Sequence, residues 1–292
     1  MNIERIGRQR CKVGEGPVWD VTEQALYFVD VLGRELWRHD PVSGQFRHWS
    51  MPSCIGSLAL CESGGALVAL EDGLHRLDLQ SGQATPFCTW DDPAQDTQCN
   101  DGKVDPRGRF LVGTVPRSLH DQRDIGTLRC IHPGGKVEEL ERGFSITNGP
   151  SWSPDGRTFY FSNSRAHTIF AYDYDLEHGR LSNRRVFADT QCHGGMPDGA
   201  TVDRDGRLWV AICGGGKVVC WRPDGQVDRV IDMPVPLVGS VMFGGPQLDR
   251  LYVTTLDGGS LGLGFPPDDL GGSLFVIDGL GAKGLPEHRF AA

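Results

Sequence analysis

The chain has 292 residues and a net charge of −9, with 39% hydrophobic and 23% charged residues, which is ordinary for a globular protein with a full core. An acidic chain without runs of Lys or Arg binds nucleic acid and anionic membranes poorly, and no stretch approaches the roughly eighteen apolar residues of a membrane span. We therefore expect neither nucleic acid nor membrane among its partners.

The first eight residues contain no apolar stretch of signal-peptide length. Cysteine occurs nine times, and no two cysteines form a C-x-x-C pair. An odd number of scattered cysteines is typical of reduced thiols in the cytoplasm and gives no spacing for a structural zinc site. We predict a cytoplasmic protein.

One phrase recurs along the chain: a short strand, a tight turn and a second strand. Each copy has a polar head residue, and successive heads lie about 42 to 50 residues apart. In chain order the copies span residues 14–29, 56–70, 100–112, 146–161, 198–210 and 240–255, and their heads are Glu15, Ser57, Asn100, Asn148, Asp198 and Ser240. Most copies continue with a third strand and several with a fourth, and no long stretch has the 3.6-residue period of a helix.

Four strands repeated six times predict an all-β protein, a six-bladed β-propeller. One repeat cannot bury its own faces, so the six blades pack radially and form a single domain over residues 1–292. The segment 2–6 precedes the first head and is expected to pair into the last blade and close the ring. A sandwich or two separate β domains would explain less of the repeated phrase.

The heads occupy the same position in each copy of the repeated phrase, which predicts a ring of polar side chains. In a propeller the first strand of each blade lines the central channel, so all six heads should reach one height. Buried carboxylates and carboxamides in a narrow space are costly unless a cation binds or a carboxylate takes up a proton. Oxygen ligands suit hard divalent cations such as Ca²⁺, Mg²⁺ or Mn²⁺. Taken singly, each head could instead be a turn former, because Asn-Gly and Asp-Gly favour turns.

The segments 14–19 (GEGPVW), 100–105 (NDGKVD), 146–153 (ITNGPSWS) and 197–199 (PDG), with 172–175, 181–185 and 243–245, resemble the SMP30/gluconolactonase/LRE-like family. These are the sugar-lactone hydrolases related to regucalcin, and the likeness covers essentially the whole chain. The resemblance implies a propeller with one divalent metal in its channel, held by Glu15, Asn148 and Asp198. Ca²⁺, Zn²⁺, Mn²⁺, Mg²⁺ and Fe²⁺ all remain open as the ion.

The resemblance also implies an activity, the hydrolysis of a sugar aldono-lactone to its aldonic acid. The metal would polarise the lactone carbonyl, Asp198 would act as the general base on water, and Asn100 would contact the substrate. Two alternatives stay open: hydrolysis of another ester, such as a phosphotriester, and a propeller that binds metal or serves as a scaffold without catalysis.

The chain departs from the family two residues before Asn100, where related lactonases commonly carry an Arg that holds substrate hydroxyls. Here the residue is Gln98, which has no charge and no guanidinium fork. Arg117 in the next loop could replace the missing cation or bind an acidic group of the substrate, or it could be a solvated loop residue. His193 is near enough in sequence to Asp198 to contact substrate. The loops 116–125 and 258–271 could cover the channel mouth.

Overall fold

The computed structural model describes residues 1–90, 96–118, 120–261, 265–266 and 268–292. The first three described sheets follow the chain in order. Strand β1 (Asn2–Ile6) comes first in the chain but belongs to the last sheet. The first sheet contains β2 (Gly14–Asp20), β3 (Ala25–Asp30), β4 (Glu35–His39) and β5 (Phe46–Ser50), and the second contains β6 (Ile55–Leu60), β7 (Ala66–Leu70), β8 (Gly73–Leu77) and β9 (Ala84–Thr89). The third contains β10 (Thr97–Val104), β11 (Phe110–Pro116), β12 (Gly126–Ile131) and β13 (Val137–Phe144).

The other three sheets complete the fold. They contain β14 (Thr147–Trp152), β15 (Thr158–Asn163), β16 (Thr168–Asp175) and β17 (Arg180–Asp189); β18 (Met196–Val202), β19 (Leu208–Cys213), β20 (Lys217–Trp221) and β21 (Val227–Asp232); and β22 (Val238–Gly244), β23 (Arg250–Thr255), β24 (Leu274–Asp278) and β1. A 3₁₀ turn (Gln191–His193) and a short helix (Gly258–Leu261) are the helical elements of the described ranges. The prediction of an all-β, six-bladed propeller is confirmed.

The last blade is closed by the N-terminal strand, as predicted. β1 pairs antiparallel with β24, and Ile3 lies opposite Ile277. The side chain of Ile3 packs against the core between the fifth and sixth blades, where Trp209 meets Phe243 edge to face at 5.5 Å between ring centroids. The ring is therefore closed both by backbone hydrogen bonds and by apolar contact.

Turns of the repeated phrase are held by buried aspartates. Asp105 accepts hydrogen bonds from the backbone N–H of Arg107 and Arg109, from Nε of Arg109 at 2.7 Å and from the hydroxyl of Tyr174 at 2.7 Å. Asp203 has the same arrangement in the fifth blade, with Arg207 and the indole of Trp209. These carboxylates satisfy turn donors in the way expected for Asp at a tight turn.

The end of the channel opposite the polar heads is covered by the C-terminal segment. Phe290 is fully buried, its N–H donates to the carbonyl of Leu60 at 2.9 Å, and Arg289 forms an ion pair with Asp20 at 2.7 Å. Among the described residues, no helix has the length and apolar character that crossing a bilayer requires.

Ring closure can be tested by truncating Ile3. Because this side chain is only partly buried, Ile3→Ala should lower the free energy of unfolding by about 1–2 kcal/mol, less than a fully buried Ile→Ala change. Urea unfolding followed by tryptophan fluorescence measures the difference. Val42→Ala is the control, because Val42 is 92% exposed. If both variants were equally stable, the proposal that the Ile3 side chain stabilises the β1–β24 closure would be contradicted.

Candidate active site

Four polar heads lie at irregularities of the innermost strands. The pairing register of β2, β10, β14 and β18 shifts at or just after Glu15, Asn100, Asn148 and Asp198. Such bulges turn a side chain away from the regular pleat. Gly149 has a φ of +61°, and a Cβ there would lie 2.9 Å from the carbonyl oxygen of Asp198. A glycine is therefore required where the fourth and fifth blades come together.

The same four heads line one cavity of about 440 Å³ at the mouth of the channel. Asp101 and Cys213 line it as well. Asp101 was not predicted as a site residue, because an Asp after Asn and before Gly is an ordinary turn former. Its direct adjacency to Asn100 is the signal that the sequence offers.

Ser57 and Ser240 do not line this cavity within the described chain, and their predicted place in the ring is corrected. In β6 and β22 the register shift comes before these residues, between Ile55 and Ser57 and between Val238 and Ser240. The hydroxyl of Ser57 donates to the backbone carbonyl of Asn100 at 2.7 Å. Ser240 packs against the neighbouring strand, where a Cβ on Gly199 would collide with its hydroxyl.

Hydrogen bonds fix the two carboxamides. Nδ2 of Asn100 donates to the carbonyl of Thr147 at 2.8 Å and to Oδ1 of Asn148 at 3.0 Å. Nδ2 of Asn148 donates to the hydroxyl of Ser164 at 3.0 Å, and that hydroxyl donates to the carbonyl of Pro197 at 2.7 Å. Both amide groups are thereby oriented, and each Oδ1 retains acceptor capacity, since a carbonyl oxygen has two lone pairs.

Three carboxyl groups share the floor of the cavity. Burial raises the pKa of Glu15 well above its usual range, and the charges of Asp198 and Asp101 raise it further. Burial raises the pKa of Asp198 as well, with a second contribution from the charge of Asp101. Burial also raises the pKa of Asp101, but Lys103 and the backbone N–H groups of Gly149 and Gly102 oppose this.

Two of these carboxyls, those of Glu15 and Asp198, have no ion-pair partner among the described residues. In the described part of the chain no Lys or Arg forms an ion pair with Glu15 or Asp198, and Lys103 is itself paired with Glu287 at 3.5 Å. Like charges removed from water are stabilised by a proton or by a bound cation. The floor of the cavity therefore has the electrostatics of a cation site.

The donor set fits a hard divalent cation. Glu15 and Asp198 would supply carboxylate oxygens, and Oδ1 of Asn148, in the fourth blade, would supply an amide oxygen. No three His, Cys, Asp or Glu side chains form a metal-binding group among the described residues, so the fit depends on the amide oxygen as the third ligand. Asn oxygens are ordinary ligands of Ca²⁺. The ligand roles of Glu15, Asn148 and Asp198 remain predictions.

The structure separates the predicted substrate contacts. Gln98 and Arg117 line the cavity, and Arg117 also pairs with Glu71 at 2.9 Å. His193 is not among the described lining residues; its ring packs edge-on against Trp221 at 5.5 Å between centroids. His193 ends the 3₁₀ turn, and Gly194 and Gly195, which follow it, line the cavity.

Arg165, a cavity residue that was not predicted, lies in the turn between β15 and β16. Nothing in its local sequence distinguishes it from a solvated turn residue. The opposite wall is apolar and comes from the sixth and first blades: Val13, Val31, Leu237, Leu256, Leu261 and Phe265. Of the two predicted covering loops, positions 119, 262–264 and 267 lie outside the described residues.

Comparison with known proteins identifies the family of the chain. The model described as the SMP-30/Gluconolactonase/LRE-like region matches residues 13–257. Regucalcin of Xenopus laevis is 34% identical over 295 residues, covering 100% of this chain and 99% of the relative. A luciferin-regenerating enzyme superposes with a TM-score of 0.92 at 29% identity, covering 100% and 99% of the two chains. A calcium-binding protein, regucalcin, from Agrobacterium tumefaciens superposes with a TM-score of 0.90 at 26% identity, covering 99% of this chain and 97% of the other.

Proposed function

Because the chain belongs to the SMP-30/gluconolactonase/LRE-like family, we propose that it hydrolyses a sugar aldono-lactone to the aldonic acid with one divalent metal ion. The observation that carries this proposal is the oxygen-rich floor of the cavity, where Glu15, Asn148 and Asp198 meet beside Asn100. A cavity of about 440 Å³ also matches the size of small-molecule sites.

The metal would be held by Glu15, Asn148 and Asp198, and when bound it would act as a Lewis acid toward the lactone carbonyl. Oxygen donors alone favour a hard cation such as Ca²⁺, Mg²⁺ or Mn²⁺ over Zn²⁺ or Fe²⁺. The burial that raises the pKa of Glu15 and Asp198 also strengthens their interaction with a cation, since both effects come from the low local dielectric.

Each polar residue of the floor then has a specific task. Both N–H groups of the Asn100 amide are engaged by Thr147 and Asn148, so its Oδ1 is the atom that can accept a hydrogen bond from a substrate hydroxyl. Asp198 accepts a proton from the attacking water and returns it to the ring oxygen when the C–O bond breaks. The hydrogen bonds described above keep the amide groups of Asn100 and Asn148 in place before substrate arrives.

A second candidate function is binding of a divalent cation without catalysis. It is favoured by the description of the Agrobacterium tumefaciens relative as a calcium-binding protein and by the uncompensated carboxyls of the floor. This candidate requires the metal ligands but gives no role to the free acceptor of Asn100 or to the open cavity above it.

The two candidates differ in one experiment. Chelator-treated protein is assayed against a panel of aldono-lactones with a pH indicator, alone and with Ca²⁺, Mg²⁺, Mn²⁺, Zn²⁺ or Fe²⁺. Hydrolysis that requires a metal supports the lactonase. Tight binding of a metal in calorimetry, with no turnover of any lactone in the panel, would favour the binding protein.

Ser164 offers a test of how the metal ligand Asn148 is oriented. Ser164→Ala removes the acceptor for Asn148 Nδ2 and the donor to Pro197, and loss of such an outer-shell partner should weaken metal affinity by about 10- to 100-fold. Isothermal titration calorimetry measures the metal affinity of both proteins. The control is Ser151→Ala, which removes a buried hydroxyl without a hydrogen-bond partner in the described ranges, in the same blade. Unchanged affinity in Ser164→Ala would contradict this orientation.

We also propose that the protein works in the cytoplasm on a small-molecule substrate. All nine cysteines lie in the described ranges and none is in a disulfide, which supports a reducing compartment.

A further inference from the structure

The two cavity arginines carry a further inference, which rests on the proposed function. We infer that the preferred substrate is an anionic lactone, with a carboxylate at the end remote from the ring carbonyl, and that Arg117 and Arg165 bind this carboxylate. This assigns a specificity site on one wall of the cavity, apart from the predicted metal ligands on its floor.

The placement of the two residues supports this assignment. Arg117 directly follows β11 in the third blade, and Arg165 lies between β15 and β16 in the fourth, so adjacent blades bring both to one side of the same cavity. Gln98 lines that side too, in the strand paired with β11. The facing wall, from the first and sixth blades, is apolar. The described residues of one wall thus offer two cations and an amide, and those of the other wall carry no charge.

Formal charge points the same way. Three carboxyls line the floor, and a bound divalent cation would leave one negative charge there. The two guanidinium groups line another side of the cavity, away from this charge, and Glu71 pairs with that of Arg117. A substrate carboxylate beside the two guanidinium groups would be attracted by them and would stay away from the acidic floor.

The hydrogen bonds of the arginines position them for this role. Arg117 Nη1 donates to Glu71 at 2.9 Å, and Asp96 lies 3.8 Å from its Nε. Arg165 donates to the backbone carbonyl of Asp121, which belongs to the loop that Arg117 begins. A guanidinium has five N–H donors, so the contacts that orient Arg117 do not use all of them. Paired N–H groups bind carboxylates in bidentate geometry.

The test compares two lactones of the same ring size, a neutral aldono-lactone and an aldaric acid monolactone that carries a terminal carboxylate. We expect the wild-type protein to prefer the acidic lactone in kcat/KM by at least about 10-fold. Arg117→Gln and Arg165→Gln should each raise KM for the acidic lactone by roughly 10- to 100-fold, the range of a hydrogen bond to a charged group, and should raise KM for the neutral lactone by a much smaller factor. Arg165→Lys should recover part of the loss, because it keeps the charge without the fork.

Arg123→Gln is the matched control, because Arg123 lies in the same loop, pairs with Asp121 and does not line the cavity. Equal loss on both lactones in the two Gln variants would show that the arginines only hold the loop and would overturn the inference. A wild-type preference for the neutral lactone would overturn it while the proposed lactonase stands.

Calorimetry with the open-chain aldarate dianion separates the inference from the proposed function. Binding to the metal-loaded protein that weakens in Arg117→Gln and Arg165→Gln supports an anion site even without turnover. Failure of every lactone in the panel, with aldarate still bound by the arginines, would reject the lactonase alone. Absence of aldarate binding to the wild type would overturn the inference.

Discussion

Asp198→Asn is expected to lower kcat/KM for lactone hydrolysis by about 10²- to 10⁴-fold, the usual contribution of a general base. The amide has nearly the same shape as the carboxyl but cannot accept a proton from water. It also removes one of the buried carboxyls whose mutual charge raises the pKa of Glu15, so the fold should persist. Steady-state kinetics at saturating metal, with the metal content measured in parallel, gives the result.

The control for this variant is Asp232→Asn in the same blade. Asp232 is exposed at the end of β21, with 86% of its side chain accessible, and its nearest cation is Lys217 at 3.9 Å, so activity should not change. An Asp198→Asn protein that retained both metal and full activity would remove Asp198 from the role of base. Loss of metal together with activity would leave Asp198 as a ligand, and solvent isotope effects at restored metal occupancy would then address proton transfer.

Divalent metal is expected to raise the melting temperature of the wild-type protein strongly and that of Glu15→Gln weakly. A ligand at 100 to 1,000 times its Kd stabilises the folded state by about 2.7–4.1 kcal/mol, which for a chain of this size corresponds to roughly 5–15 °C. Glu15→Gln removes a predicted ligand, so most of this shift should disappear. Thermal melts followed by circular dichroism, with chelator or with each metal, measure both shifts.

The stability of the metal-free protein should depend on pH because of the same carboxyls. Burial raises the folded-state pKa of Glu15 and Asp198, whereas both groups titrate near pH 4 in the unfolded chain. The folded state therefore retains protons that the unfolded state has released. Their contribution to stability is fully present below pH of about 4 and is lost as the pH rises through the folded pKa.

Metal-free Glu15→Gln should thus gain stability over the metal-free wild type between about pH 5 and pH 8, and saturating metal should reverse the order at neutral pH. Glu62→Gln, which changes an exposed carboxyl, should follow the wild type at every pH. A constant difference between wild type and Glu15→Gln over this range would contradict the buried, uncompensated state of Glu15. An equal metal shift in both proteins would contradict its role as a ligand.

Part of the site was accessible from local sequence, and part was not. The positions of Glu15, Asn100, Asn148 and Asp198 follow from one phase of a repeated phrase, and the structure brings all four to one cavity. His193 was placed near Asp198 because five residues separate them. A 3₁₀ turn and the ring of Trp221 direct its side chain elsewhere, and sequence distance does not encode such a turn.

The sequence by itself determined the number of blades, the closing role of β1 and the tight turns of the repeated phrase, because each depends on residues within one repeat or on its period. Only the tertiary structure decided which side chains share the cavity. The register shift before Ser57 and Ser240 excludes both hydroxyls, while Asp101 and Arg165 enter the cavity. The physical reason is that a shift of one residue in a strand redirects its side chains, and the packing of neighbouring blades decides which residues, distant in sequence, then face one another.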